Sequence, residues 1–232
     1  MIDSLQDKRI FIVGGSSGLG LAVAKKAGAL GCRIIVASRG AAAKQRELAD
    51  AIGPEVEAHS LDLTSEDQTR VALEKIGTID HLVIASRPAI TPAPFAQTGL
   101  AQAKAAFETK FWGPCQLIQK ALGSIAPNGS IVLTTGIAGE KVFPNHATMM
   151  AVDGAVEALC RALAVELAPI RVNAVSPGFV APKPPETVEY AKKFPAGRVA
   201  APEEVADAYL YLMGNPYITG VSLVVDGGAR LI

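Results

Sequence analysis

Apolar residues in this chain fall into short continuous runs that alternate with longer segments of helical spacing. Arg9–Val13 is an apolar run that ends in Gly14-Gly15, as a strand buried on both faces does. Residues 19–30 carry apolar side chains at helical spacing and stop at Gly31, a residue suited to the left-handed position after a helix. The same alternation predicts strands over residues 32–37, 56–63, 80–86, 129–135, 170–175 and 222–226. Between them it predicts helices over 41–52, 64–76 (capped by Thr64 or Ser65), 99–122, 145–168, 186–194 and 202–213. Strands and helices in strict alternation predict an α/β fold: a doubly wound, seven-stranded, mostly parallel sheet with helices on both faces. The stretches 87–98 and 177–185 are Pro-rich and predict irregular loops. No linker or repeat interrupts the pattern, so residues 1–232 read as one domain.

Composition narrows the function classes. Lys and Arg number 22 and Asp and Glu 22, so the formal charge is zero. Such a chain has no electrostatic footprint for nucleic acid or an anionic membrane. Half the residues are hydrophobic and 19% are charged, enough for a sizeable core and against global disorder. Cys32, Cys115 and Cys160 form no CxxC and no ligand spacing, which points to a reducing compartment and no metal. The first residues carry no basic and then apolar leader, and charges break every long apolar stretch. A cytoplasmic, soluble protein is expected.

The first chemical signal is the loop Gly14-Gly15-Ser16-Ser17-Gly18-Leu19-Gly20, set between a strand and a helix. Glycines there permit a tight turn and close backbone approach, and the helix N-terminus aims N–H groups at a phosphate. A glycine loop alone is a weak signal; its strand–turn–helix context strengthens it.

The chain resembles the short-chain dehydrogenase/reductase family of the compact type made of one dinucleotide-binding Rossmann domain. The family's Thr-Gly-x3-Gly-x-Gly falls on residues 13–20, with Val13 in place of Thr. Leu61-Asp62-Leu63, the run Arg171-Val172-Asn173-Ala174-Val175-Ser176-Pro177-Gly178, Gly197-Arg198, Pro202-Glu203-Glu204-Val205-Ala206 and Val225-Asp226-Gly227-Gly228 also match. The resemblance covers nearly the whole chain. It implies a nicotinamide dinucleotide held by Gly14, Ser16, Ser17, Gly18, Leu19, Gly20, Ser38, Arg39, Asp62, Leu63, Ala85, Ser86, Asp153, Pro177, Gly178 and Val180. Ser38-Arg39 stand where relatives using NAD often carry an acid. A guanidinium there suits a 2′-phosphate, so NADP(H) is expected.

The catalytic pattern departs from the family. The resemblance implies an Asn on the long fourth helix, a Ser after the fifth strand, and a Tyr and Lys four apart on one helix face. Anchored on residues 154–159, that register puts Lys110 at the Asn, Gly136 at the Ser, Met149 at the Tyr and Asp153 at the Lys. Pro182 stands at a usual Thr. A thioether has no proton to exchange, so Met149 cannot be a general acid or base. Lys110 and Asp153 are expected to form an ion pair on the cleft floor, with Asp153 also available to nicotinamide-ribose hydroxyls. His146, three residues before Met149, is a candidate proton donor or else a capping or interface residue. Arg87, Thr134, Thr135 and Lys141 are polar candidates near the same mouth, and the segment 182–195, short for the family's substrate-covering loop, implies an open cleft or a small lid.

Two functions follow. One is an NADP(H)-dependent oxidoreductase with a non-standard site, acting on a small organic substrate. The other is a member that holds NADP(H) without net redox, as an isomerase or dehydratase-like enzyme or a cofactor sensor. Apolar residues on more than one side of helices 99–122 and 145–168 predict a homodimer or homotetramer.

Overall fold

The computed structural model describes residues 5–232. Seven strands, β1 (Arg9–Val13), β2 (Arg33–Ser38), β3 (Glu57–Ser60), β4 (Ile79–Ile84), β5 (Ile125–Thr134), β6 (Arg171–Pro177) and β7 (Ser222–Val225), pair in parallel. Their order is β3-β2-β1-β4-β5-β6-β7. The chain therefore winds outward one way from β1, then returns to β4 and winds the other way. The reversal opens a crevice between the carboxyl ends of β1 and β4, the usual place for a ligand in such sheets.

The strands are apolar on both faces because helices cover both. On β1, Ile10 and Ile12 enter one core while Phe11 and Val13 enter the other. The first core is closed by α1 (Gly18–Ala29), α2 (Gln45–Ile52) and α8 (Pro202–Gly214). The second is closed by α3 (Glu66–Ile76), α5 (Gly113–Ala121) and α6 (Ala147–Glu166). The short helices α4 (Leu100–Phe107) and α7 (Pro185–Ala191) lie in the segments that follow β4 and β6. No helix among the described residues is long and apolar enough to cross a membrane.

Several boundaries differ from the sequence reading, each for a local reason. The helix expected over 99–122 is broken by a π turn over Glu108–Trp112, so α4 and α5 meet at an extra residue in the backbone ladder. Asn145 has φ +68, outside the helical region, and α6 starts two residues later than expected. β3 stops at Ser60 because Leu61-Asp62-Leu63 turns away: Asp62 Oδ1 accepts from Thr64 N and Thr64 Oγ1 at 3.0 and 2.8 Å. Ser65, not Thr64, caps α3 by accepting from Gln68 N at 3.3 Å. β5 begins at Ile125, four residues early, with its register slipping against β4 between Ile79 and His81. Of the cysteines, Cys32 and Cys160 are buried and Cys115 is half-buried.

A sheet covered on both faces leaves little water for polar side chains inside it. His81 and Ser130 are register partners on β4 and β5, and His81 Nδ1 lies 2.8 Å from Ser130 Oγ. Burial pushes the His81 imidazole down to about 4, against a smaller upward pull from Asp80. The unfolded chain therefore binds a proton that the native protein refuses. Stability is full above the ordinary histidine value of about 6.5 and falls as the pH drops toward 4, by roughly 3 kcal/mol in all. We expect His81→Asn to lose about 2.5 kcal/mol less than the parent protein between pH 7 and 4.5 in urea titrations. Equal losses in both would refute this role for His81.

Candidate functional site

The glycine loop lies at the crevice. Gly14 has φ +83, and a Cβ there would sit 2.7 Å from Ala85 O, so the backbones after β1 and β4 touch directly. A Cβ on Gly20 would sit 2.4 Å from Gly14 O, which lets α1 start hard against the loop. Above Gly18 the space is open. Ser17 occupies the N-cap of α1, but its side chain caps nothing, and no acid occupies the first turn. The first N–H groups of α1 thus keep their capacity and partial positive charge for an anion.

The residues singled out in the sequence follow the sheet order along its carboxyl edge. Asp62 and Leu63 follow β3, Ser38 and Arg39 end β2, residues 14–20 follow β1, Ala85 and Ser86 follow β4, and Pro177 and Gly178 end β6. At ~4.8 Å per strand that edge spans roughly 24 Å, room for an extended ligand. Ser16 Oγ and Ser38 Oγ are 2.7 Å apart, fixing the β1 loop to the end of β2. Arg39 is exposed beside Asp62; the Thr64 hydrogen bonds, helped by Arg39, hold the Asp62 carboxyl below its ordinary value. Val180 bridges to Ala200, and Gly178 N donates to Val225 O at 3.0 Å, which seat the β6 loop on β7.

Lys110 and Asp153 do come together. Lys110 stands in the π turn and Asp153 on α6, with side chains 7% and 1% exposed. Lys110 Nζ donates to Asp153 Oδ1 and to Thr135 O, the latter at 3.1 Å. Burial raises the Asp153 carboxyl, and the Lys110 charge pulls it back only in part. Asp153 Oδ2 has no hydrogen-bond partner among the described residues. It lies 3.0 Å from where a Cβ on Gly136 would be. Gly136 is extended, at φ 177, so a side chain there is limited by the nearby carboxylate and not by backbone conformation. Ser86 Oγ donates to Thr109 O at 3.2 Å, tying the end of β4 to the same π turn.

A second acid joins this floor. Glu157 lies four residues after Asp153 on α6, and its Oε1 accepts from Thr135 Oγ1 at 2.9 Å. Burial and the carboxylates Glu140 and Asp153 raise it, while the Thr135 bond and Arg161 oppose them. The sequence reading missed Glu157, although its i,i+4 spacing from Asp153 was a usable signal.

The remaining candidates are held elsewhere. His146 stands at the N-cap of α6 without capping it; its Nδ1 lies 2.7 Å from Pro144 O. A carbonyl only accepts, so Nδ1 carries the proton, and Nε2 could donate only as imidazolium. No hydrogen bond or ion pair joins His146 to Lys110 or Asp153 among the described residues. Thr134 Oγ1 donates to Ile84 O at 2.8 Å and accepts from the buried Tyr209 hydroxyl at 2.6 Å. Lys141 Nζ donates to Ala229 O at 2.8 Å and to Ile232 O. Thr134 and Lys141 are thus committed to structure. Chemically, the site offers an open anion cradle at one end and a self-neutralised charge pair at the other.

A family model described as "Enoyl-(Acyl carrier protein) reductase" matches residues 13–230. The short-chain dehydrogenase/reductase malC of Malbranchea aurantiaca is 33% identical, over 99% of this chain and 97% of its own. Among solved structures, the MalC reductase/Diels-Alderase of Malbranchea aurantiaca superposes with a TM-score of 0.90 at 31% identity, covering 100% of this chain and 98% of that one. A small-chain dehydrogenase in complex with NADPH superposes at 0.80 and 30% identity, covering 98% and 100%. Sheet order, glycine loop and these likenesses over nearly full length agree: the chain belongs to the short-chain dehydrogenase/reductase family.

Proposed function

We propose that this protein binds NADP(H) and acts as an oxidoreductase on a small organic substrate, through a site where a buried ion pair replaces the family's acid–base relay. The observation that carries the cofactor reading is the uncapped start of α1 above an open Gly18, with Arg39 exposed at the end of β2. The Gly14–Gly20 backbone and the hydroxyls of Ser16 and Ser17 would hold the diphosphate. Ser38 and Arg39 would take the 2′-phosphate, and Asp62 and Leu63 the adenine. Ala85 and Ser86 would line the ribose, and Pro177, Gly178 and Val180 the nicotinamide end. Asp153 Oδ2 has no partner among the described residues but is buried, so the carboxylate would accept from a ribose hydroxyl only after turning out of the floor. When bound, the dinucleotide supplies or accepts hydride. The NADPH complex of a relative 30% identical supports this reading.

The floor residues bear on the proton. Lys110 is spent on Asp153 and Thr135, and Met149 has no proton to give. The chain's own residues therefore bind and orient more than they protonate, and His146 is the proton donor in reserve. That same neutralised pair favours a second reading, a cofactor-holding member without net redox. Absorbance at the reduced-nicotinamide band over a substrate panel separates the two. The half-buried Phe111 and exposed Trp112, their rings 4.8 Å apart, would lie in a homodimer or homotetramer contact with a second copy. Light scattering at micromolar concentration should give a multiple of 24.0 kDa.

NADP(H) should raise the melting temperature far more than NAD(H), since ligand at a hundredfold its Kd stabilises by about 2.7 kcal/mol. Arg39→Asp should weaken NADP(H) selectively. Equal shifts with both cofactors in the parent protein would refute the preference.

The ion pair makes a separate expectation. Lys110→Met leaves an uncompensated buried carboxylate and should cost about 3–5 kcal/mol. Lys110→Met with Asp153→Leu should recover much of that stability in chemical denaturation while still weakening NADP(H) binding. A double variant no more stable than the single one would show that the pair is not what holds the floor.

A further inference from the structure

Among the described residues only three Lys, Arg, Asp or Glu side chains are buried, and all three meet at the cleft floor: Lys110, Asp153 and Glu157. Two acids against one cation leave an excess negative charge if all of them ionise. Lys110 answers Asp153 directly, Nζ to Oδ1. Glu157 has no cation so placed. Its Oε1 accepts from the Thr135 hydroxyl at 2.9 Å, and that hydroxyl accepts in turn from Gly136 N. One neutral donor does not compensate a buried carboxylate.

The two acids also share one packing contact. They stand four residues apart on α6, and a Cβ on Gly139 would lie 3.0 Å from Glu157 Oε1 and 3.3 Å from Asp153 Cβ. Like charges gathered in one buried place disfavour each other's ionised form. The other charges around Glu157 do not remove the excess. Arg161, one turn further along α6, is exposed; Glu140, after β5, adds a negative charge and is held by Arg230. Lys141 is spent on Ala229 O and Ile232 O. Burial first, with Glu140 and Asp153 behind it, holds the Glu157 acid above its ordinary value, against the pull of Thr135 and Arg161.

We propose that the floor stores one proton, on the Glu157 carboxyl, and that Glu157 gives it to solvent when Asp153 turns out to meet a bound dinucleotide. Asp153 Oδ2 is buried without a partner among the described residues, so the carboxylate reaches a ribose hydroxyl only by leaving the floor. Its departure removes the like charge beside Glu157 and leaves Lys110 without its anion. Lys110 still holds Thr135 O at 3.1 Å, and Glu157 stands on the hydroxyl side of that same residue. Ionisation of Glu157 therefore restores one negative charge to the floor. The O–H bond of the acid breaks, water takes the proton, and nothing is oxidised or reduced. Glu157 is a positioning residue: it touches no ligand and frees Asp153 to do so. The trigger rests on the NADP(H) reading above. Since binding expels a proton, affinity rises with pH across the range in which the free protein holds that proton.

The probe is NADP+, titrated by calorimetry into the whole protein from about pH 5 to 7.5, above the ordinary carboxyl range, in buffers of different ionisation enthalpy. Glu157→Gln keeps the shape of the side chain and removes the titrating group. The parent protein should release up to about one proton per NADP+ more than Glu157→Gln does, and its affinity should climb relative to the variant by up to about tenfold per pH unit. The 2′-phosphate titrates in both proteins and cancels in the difference. Glu140→Gln should release as many protons as the parent. Infrared spectra without cofactor at about pH 6 should show a carbonyl band of a protonated carboxyl that Glu157→Gln lacks. Equal proton release by the parent and Glu157→Gln overturns the coupling and leaves the cofactor reading standing. A carboxyl band that survives in Glu157→Gln and vanishes in Asp153→Asn overturns the assignment of the proton. If the parent fails to bind NADP+, the cofactor reading and the trigger fall together, while the band still decides the stored proton.

Discussion

A carboxylate taken out of water must be answered by a positive charge, and Asp153 imposes that condition on everything around the cleft floor. Lys110 answers it, but only because the π turn presents the lysine inward from between α4 and α5. Thr135 contributes its carbonyl to Lys110 and its hydroxyl to Glu157, so the end of β5 is committed at the same point. Gly136 contributes by having no side chain. Ser86 ties β4 to the π turn. Floor, helix and two strand ends are thereby one electrostatic unit, and none of its members can be judged alone.

The two ends of the cleft have opposite character. At the β1–β2 end the protein leaves charge and donors open: helix N–H groups without a cap, and Arg39 in solvent. At the β5–α6 end it closes charge on itself. Binding power is kept at one end while proton-transfer power is withdrawn at the other. An oxidoreductase with a divergent proton source, or a protein that holds its cofactor without turning it over, both fit that division.

Much of the fold was legible in the sequence because its signals are local. β1 needed only an apolar run before glycines, and Gly31 at φ +79 closed α1 where a left-handed residue was expected. The pairing of Lys110 with Asp153 was legible too, through a family register and not through spacing. What stayed hidden depends on partners distant in the chain. The π turn has no mark in the sequence spacing, and the partners its residues meet, Asp153 for Lys110 and Ser86 for Thr109, are distant in the chain. The early start of β5 at Ile125 reflects pairing with Ile79, and the stop of β3 reflects the Asp62 turn.

The contact between Gly136 and Asp153 makes the two positions one packing decision. A Cβ at 136 would press on a carboxylate that Lys110 holds, so a side chain there is accepted only as far as the carboxylate and its lysine shift with it. Substitutions at 136, 153 and 110 are therefore coupled: the effect of changing them together differs from the sum of the single changes, as for any residues that share one contact.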